Sequence, residues 1–233
     1  MSFIIENTFG SLSSASDGSI VGHIFSYVST ILHDFKVTKD ENENGITNRL
    51  CKMLEFKKPP EYPFFFHHQN IESAKQNTST DFAVFGTYSY VQLLNFADND
   101  EAPALIKFEA KRLINNLPKR REREYVIGDY KQGKQIRNSG GIERFKNGRH
   151  GIDIIHACII GYIQSDSFVF WKGKIDRFVQ DEINNPHDQS LSWDNDDFLK
   201  FVKSDNNIYE CVSKPKRKSG CSIDLRHIWI DLN

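Results

Sequence analysis

No stretch of this 233-residue chain approaches the roughly 20 consecutive apolar residues that cross a bilayer. Its opening residues, MSFIIENTFGSLSS, lack the basic start and sustained apolar run of a secretory signal. The expectation is a cytoplasmic protein with no membrane partner. Cysteine is sparse: Cys51, Cys158, Cys211 and Cys221 form no CxxC pair and no dense framework, as expected of reduced thiols. A zinc site built from Cys211, Cys221 and His227 is conceivable, although the spacing follows no standard pattern. Internal repeats and low-complexity tracts are also missing. With 39% hydrophobic and 12% aromatic residues, there is enough apolar material to bury one sizeable core. The length suits a single domain over residues 1–233 and leaves no room for a fused helicase or large target-recognition domain.

Net charge is close to zero, at -1, but it is unevenly distributed. Residues 111–150 hold twelve Lys or Arg against Glu122, Glu124, Asp129 and Glu143. That segment is +8, so the remainder carries -9. An excess of this size is the footprint of a polyanion-binding surface, with nucleic acid the first partner to consider; a merely solvated face is the alternative.

Apolar spacing predicts a helix over residues 17–35, with Asp17 as N-cap, and a second over 40–56 through Ile46, Leu50, Met53 and Leu54. Beyond Pro59-Pro60, EYPFFFHHQNIE and TDFAVFGTY read as strands, and ALIKFEAKRL as a third after a polar loop containing Asn95, Asp98, Asn99 and Asp100. SGGIERFKNGRHG reads as a glycine-punctuated loop and GIDIIHACIIGYIQ as a buried helix. SFVFW reads as a strand, a short helix is expected around Phe198, Phe201 and Val202, and CSIDLRHIWIDL closes the chain as a strand. The fold class is mixed α/β, one β-sheet flanked by helices.

Successive strand side chains alternate, so an acid and a lysine two residues apart point to one face and can act together, the acid holding a cation and the lysine a water. This spacing occurs four times, at Asp34/Lys36, Glu55/Lys57, Glu109/Lys111 and Asp129/Lys131. The first two fall at helix ends, where such a pair diverges, and the fourth in a basic stretch without strand character. Only Glu109-Ala110-Lys111 lies in an apolar strand preceded by a strand that begins with an acid, Asp81. Charges projecting from a buried strand need a compensating ion or partner.

Over roughly residues 40–175 these motifs resemble the PD-(D/E)xK nuclease superfamily, whose fold is restriction-endonuclease-like. The resemblance implies that Asp81 and Glu109 bind Mg²⁺, with Mn²⁺ as a substitute, and that Lys111 orients or activates the hydrolytic water. Two features depart from the pattern: Thr80 stands in place of the name-giving proline, and Glu109 lies 28 positions after Asp81. The family often carries a further acid on the preceding helix. Glu43 lies about 60° or less from Ile46, Thr47 and Leu50 on the apolar face, whereas Glu41 is about 140° from Ile46. Glu43 is thus the supporting metal ligand, or else a cap near the helix's positive end.

Arg112, Lys131, Lys134, Arg137, Arg144, Lys146, Arg149 and His150 are the candidate nucleic-acid contacts. Arg144, Arg149 and His150 stand out because a glycine-rich loop entering a helix offers backbone donors to phosphate. Gln132 or Gln135 could meet a phosphate or a water, His150 could cap a helix, His227 reads as a packing residue, and KPKRK at 214–218 suits either a backbone grip or solvation. The implied activity is Mg²⁺-dependent hydrolysis of phosphodiester bonds, in DNA before RNA, by a restriction or antiviral-defence endonuclease acting as a homodimer or a subunit of a larger complex. A catalytically inactive nucleic-acid-binding or interaction subunit is the alternative.

Overall fold

The computed structural model describes residues 20–37, 41–73, 78–93, 103–131, 134–137 and 140–233. The Asp17 cap, the Asn95–Asp100 loop and Gln132 lie outside them. Among the described residues nine strands run in chain order: β1 (Phe64–Ser73), β2 (Thr78–Gly86), β3 (Ile106–Leu113), β4 (Asp129–Lys131), β5 (Lys134–Arg137), β6 (His156–Ile163), β7 (Lys200–Asp205), β8 (Ile208–Ser213) and β9 (Asp224–Asp231). The helices are α1 (Ile20–His33), α2 (Glu43–Lys57), α3 (Tyr88–Leu93), α4 (Gly141–Lys146) and α5 (Phe168–Asn184).

Seven strands form one mixed sheet in the order β1-β2-β3-β6-β9-β8-β7, and β4 and β5 form a separate hairpin. β3, β6 and β9 run parallel to one another, and the outer pairs are antiparallel. Parallel pairing requires crossovers, which here carry the hairpin and α4 between β3 and β6, and α5 between β6 and β9.

Both faces of the sheet are covered, by two separate apolar clusters. Ile24, Val28 and Leu32 of α1 with Ile46, Leu50 and Leu54 of α2 pack on Phe82, Phe108, Ala110 and Ile160. Ile142 and Phe145 of α4 with Trp171, Ile175 and Val179 of α5 pack on Leu113, Ile159, Ile163 and Trp229. Alternation along β3 therefore sends Phe108 and Ala110 to the first face, and Glu109 and Lys111 to the second.

The first two helices, the first three strands and the last strand lie where the apolar spacing predicts them. GIDIIHACIIGYIQ is the main correction: it forms the central strand β6, not a helix, and seven of the eight strand residues are buried. A strand covered on both faces is apolar throughout, so its composition alone does not separate it from a buried helix. SFVFW begins α5 instead of forming a strand, because Ser167 caps the helix by accepting the Phe170 N–H at 3.3 Å. Phe198–Val202 does not form the expected helix; β7 starts at Lys200 and is exposed along its length. SGGIERFKNGRHG holds the helix α4, and Asp129-Tyr130-Lys131 is a strand after all.

The conceivable zinc site does not form. Cys211 is buried, Cys221 is exposed, and both ring nitrogens of His227 are engaged, Nδ1 at 2.8 Å from Tyr125 Oη and Nε2 at 2.9 Å from Ser213 Oγ. Burial depresses the His227 pKa from about 6.5 to about 3, so the folded protein holds the neutral ring. The unfolded chain binds this proton more readily between those values. The stability that neutral His227 contributes is complete above pH 6.5 and is lost as pH falls towards 3. In urea unfolding, His227→Gln is expected to be less stable than the parent at pH 7 and to lose less stability between pH 7 and pH 4.

Candidate functional site

β2 and β3 are paired at Phe82↔Phe108, Ala83↔Lys107 and Val84↔Ile106. Beyond Phe82, side-chain carboxylates take over the edge of β3. Asp81 Oδ2 accepts the Ala110 N–H at 2.6 Å, and Glu43 Oε2, at the first turn of α2, accepts the Arg112 N–H at 3.0 Å. Two alternate backbone donors of one strand thus fix two acids from two other elements, each through one of its oxygens. Asn42 starts α2 by accepting the Gly45 N–H at 2.9 Å, and Thr47 Oγ1 lies 3.2 Å from Tyr162 Oη, which anchors the helix over the sheet. Capping of α2 is therefore the work of Asn42, and Glu43 is free to reach β3.

Glu109 and Lys111 are buried side by side. Lys111 Nζ donates to Glu109 Oε1 at 2.6 Å and to the Ala110 carbonyl at 3.0 Å. Arg144 Nη1 reaches the same Oε1 at 2.8 Å, and His150 Nδ1 stands 3.3 Å from Oε2. That last approach is not aligned as a hydrogen bond, and Glu109 Oε2 and His150 Nδ1 are buried polar atoms with no hydrogen-bond partner among the described residues. Glu43, Asp81, Glu109 and Lys111 line one cleft of about 280 Å³, together with Arg120, Arg121, Glu124, Asp129, Arg137 and Arg144.

Crowding of carboxylates sets the protonation of the cleft. Burial, with the nearby charge of Glu109, pushes Asp81 up to about 7. Glu43 is raised by burial and by Glu124 and Glu109. Burial would also raise Glu109, but Lys111, His150 and Arg144 outweigh it and hold this carboxyl well below the usual range. Burial opposes the charge on Lys111, yet Glu109, Glu43 and Asp81 together keep its ammonium protonated beyond the usual lysine range. In this arrangement Lys111 is a positively charged hydrogen-bond donor.

Three carboxylates in one half-buried cleft, two of them with their charged forms disfavoured, form the hard-oxygen donor set that suits Mg²⁺. Asp81 and Glu109, with Glu43, are the residues that would hold such an ion. Among the described residues no three His, Cys, Asp or Glu side chains already converge as ligands around one point. In this arrangement Lys111 and Arg144 meet the charge of Glu109.

The other sequence candidates divide. Arg137 lines the cleft, and neither it nor Arg120 has an ion-pair partner among the described residues. Lys131 and Lys134 are exposed on the hairpin, and Arg149 on the loop after α4. Lys146, expected at a phosphate, is instead fully buried, with Nζ 2.5 Å from Asp197 Oδ1 and 4.4 Å above the Trp193 ring. His150 is likewise buried and faces Glu109. Arg112 points away from the cleft and donates to Gln164 Oε1 at 2.5 Å. The α4 N-terminus is closed to anions, because the N–H groups of Gly141, Ile142 and Glu143 donate to the carbonyls of Glu124, Tyr125 and Val126. Gln135 donates to Glu143 Oε2 at 3.0 Å. In KPKRK, Arg217 is buried and bonds the Gly151 and Ile154 carbonyls at 2.5 and 2.6 Å, tying down the loop beside His150.

Arg120, Arg121 and Glu124 were not singled out by the sequence, and Asp129 was set aside with Lys131 for want of strand character. Arg121 Nε and Nη2 hold Glu124 at 2.6 and 2.7 Å. The i,i+3 spacing of Arg121 and Glu124 in a basic stretch was the available signal. No protein-family model, no curated protein and no solved structure matches the chain.

Proposed function

We propose that the protein is a metal-dependent nuclease that hydrolyses phosphodiester bonds, in DNA before RNA, on a restriction-endonuclease-like core. The observation that carries this reading is the convergence of Asp81, Glu109, Lys111 and Glu43 from β2, β3 and α2 into one cleft, with Arg120 and Arg137, which have no ion-pair partner among the described residues, on its wall. A bound Mg²⁺ would supply charge neutralisation at the phosphate and a more acidic water. Each residue then has a distinct part. Asp81 and Glu109 supply the oxygen donors, and Glu43 adds a third while its backbone contact fixes the end of β3. Lys111, kept protonated, donates a hydrogen bond to the attacking water or to a phosphate oxygen and stabilises the charge that develops there. Arg120 and Arg137 draw the phosphate backbone into the cleft.

The test is hydrolysis of supercoiled, linear and single-stranded DNA beside RNA, in Mg²⁺ and in EDTA. Cleavage that chelation stops and Mg²⁺ restores is the expected result, and DNA is the preferred substrate. A second reading, a nucleic-acid-binding subunit without hydrolysis, draws on the contacts by which Lys111 and Arg144 already neutralise Glu109. It predicts binding that survives EDTA and no product under any condition.

A further inference from the structure

We propose that the β4–β5 hairpin is a two-stranded ribbon that enters the major groove of duplex DNA and lays the adjoining backbone across the cleft. This inference rests on the nuclease reading and specifies its substrate as B-form duplex.

The hairpin stands outside the main sheet, and its two faces differ. Tyr130 and Gln135 are cross-strand partners, and both turn towards Glu143: Tyr130 Oη and Gln135 Nε2 donate to its carboxylate, as does the Gly128 N–H at 2.7 Å. Glu143 is buried on α4, so one internal acid fixes the ribbon to the body of the protein. Gly128 allows this approach, since a Cβ there would come within 2.2 Å of the Arg137 carbonyl. Asp129 and Arg137, at the base of the ribbon, line the catalytic cleft.

Lys131 and Lys134 are also direct cross-strand partners, and they share the opposite face. Both are exposed, and neither has an ion-pair partner among the described residues. Like charges directly opposite each other across a hairpin are destabilising, so this pair is suited to an anion that is bound between them. Ile136, the residue of β5 left without a cross-strand partner where the register shifts, leaves 54% of its surface exposed. Two exposed lysines without an ion-pair partner among the described residues, with an exposed aliphatic side chain on the same hairpin, suit phosphates and base edges together. The major groove of B-form DNA is about 12 Å wide and admits a two-stranded ribbon, and its thymine methyls accept apolar contacts. The A-form major groove of RNA is too narrow and deep for side chains to read.

The test is fluorescence anisotropy in EDTA, which prevents hydrolysis, with a DNA duplex, its single strand and an RNA duplex of the same sequence. The parent protein is expected to prefer the DNA duplex, and methylating guanine N7, a major-groove atom, is expected to weaken binding. Lys131→Ala/Lys134→Ala alters exposed side chains only and is expected to melt no lower than the parent. It should weaken duplex binding at least about 10-fold at low salt and lower the slope of log affinity against log salt by about 2. Ile136→Ser should weaken duplex binding without changing that slope. Parent-like affinity and slope in the double variant, equal affinity for the three nucleic acids, or indifference to N7 methylation would each overturn the inference. Hydrolysis assayed in parallel in Mg²⁺ separates the two readings: a hairpin-dependent duplex binder that never cleaves removes the nuclease reading alone, and a nuclease with an inert hairpin removes this inference alone.

Discussion

Asp81→Asn is expected to abolish hydrolysis and, in the absence of a divalent cation, to raise the melting temperature. The two effects share a cause. Asp81 is held beside Glu109 in a buried setting that pushes its carboxyl up to about 7, so its charged form is tolerated at a cost to folding. Asparagine has nearly the same shape and keeps an oxygen for the Ala110 N–H that Asp81 Oδ2 accepts at 2.6 Å. It removes the unfavourable charge without emptying the position. It also removes a hard anionic donor, and the loss of one such interaction in a preorganised site costs about 10²–10³-fold or more in turnover. Turnover and thermal melting of the same preparation check both halves. Adding Mg²⁺ should raise the melting temperature of the parent more than that of the variant, because an ion that binds only the folded state stabilises it in proportion to its affinity.

Lys146→Met is expected to have the opposite profile, with a large loss of stability and near-normal turnover at temperatures where the variant remains folded. Lys146 and Asp197 are both fully buried, and their contact is 2.5 Å. Removing the lysine leaves Asp197 uncompensated in the interior, which costs about 3–5 kcal/mol. The Trp193 ring also loses the cation above it. For a chain of this length the melting temperature should drop by about 10 °C. A parent-like melting temperature with weakened nucleic-acid binding would instead return Lys146 to the surface role suggested by its place in the basic segment.

Lys146 also shows where the sequence stops being informative. Its neighbours make it one of twelve cations in a +8 segment, and nothing in that count separates a lysine facing solvent from one facing Asp197, which is 51 residues away in the chain. His150 is a similar case: glycine spacing suggested an anion-binding loop, whereas the ring packs edge-on against Phe145 and faces Glu109. The core of the site was legible because it obeys a local rule. Glu109 and Lys111 must share a face of any strand, and the helical wheel brings Glu43, not Glu41, to the apolar side; Glu41 pairs with Arg49 at 2.8 Å. The cleft wall was not legible, because Arg120, Glu124 and Asp129 come from segments with weak periodicity that are fixed by contacts distant in sequence. In the fold, the same distinction separates α1 and α2, read from apolar spacing, from β6, whose unbroken apolar run suits helix and strand equally until its neighbours β3 and β9 are known.

The most direct test is the initial rate of cleavage of supercoiled plasmid by purified protein across a Mg²⁺ titration, with Glu109→Gln measured beside the parent. Saturable, EDTA-sensitive cleavage by the parent, and a rate at least about 10²-fold lower for a variant that melts as a folded protein, is the predicted result. Equal rates for the two proteins, or parent cleavage indifferent to EDTA, would contradict the assignment of Glu43, Asp81, Glu109 and Lys111 as a metal-dependent phosphodiesterase site.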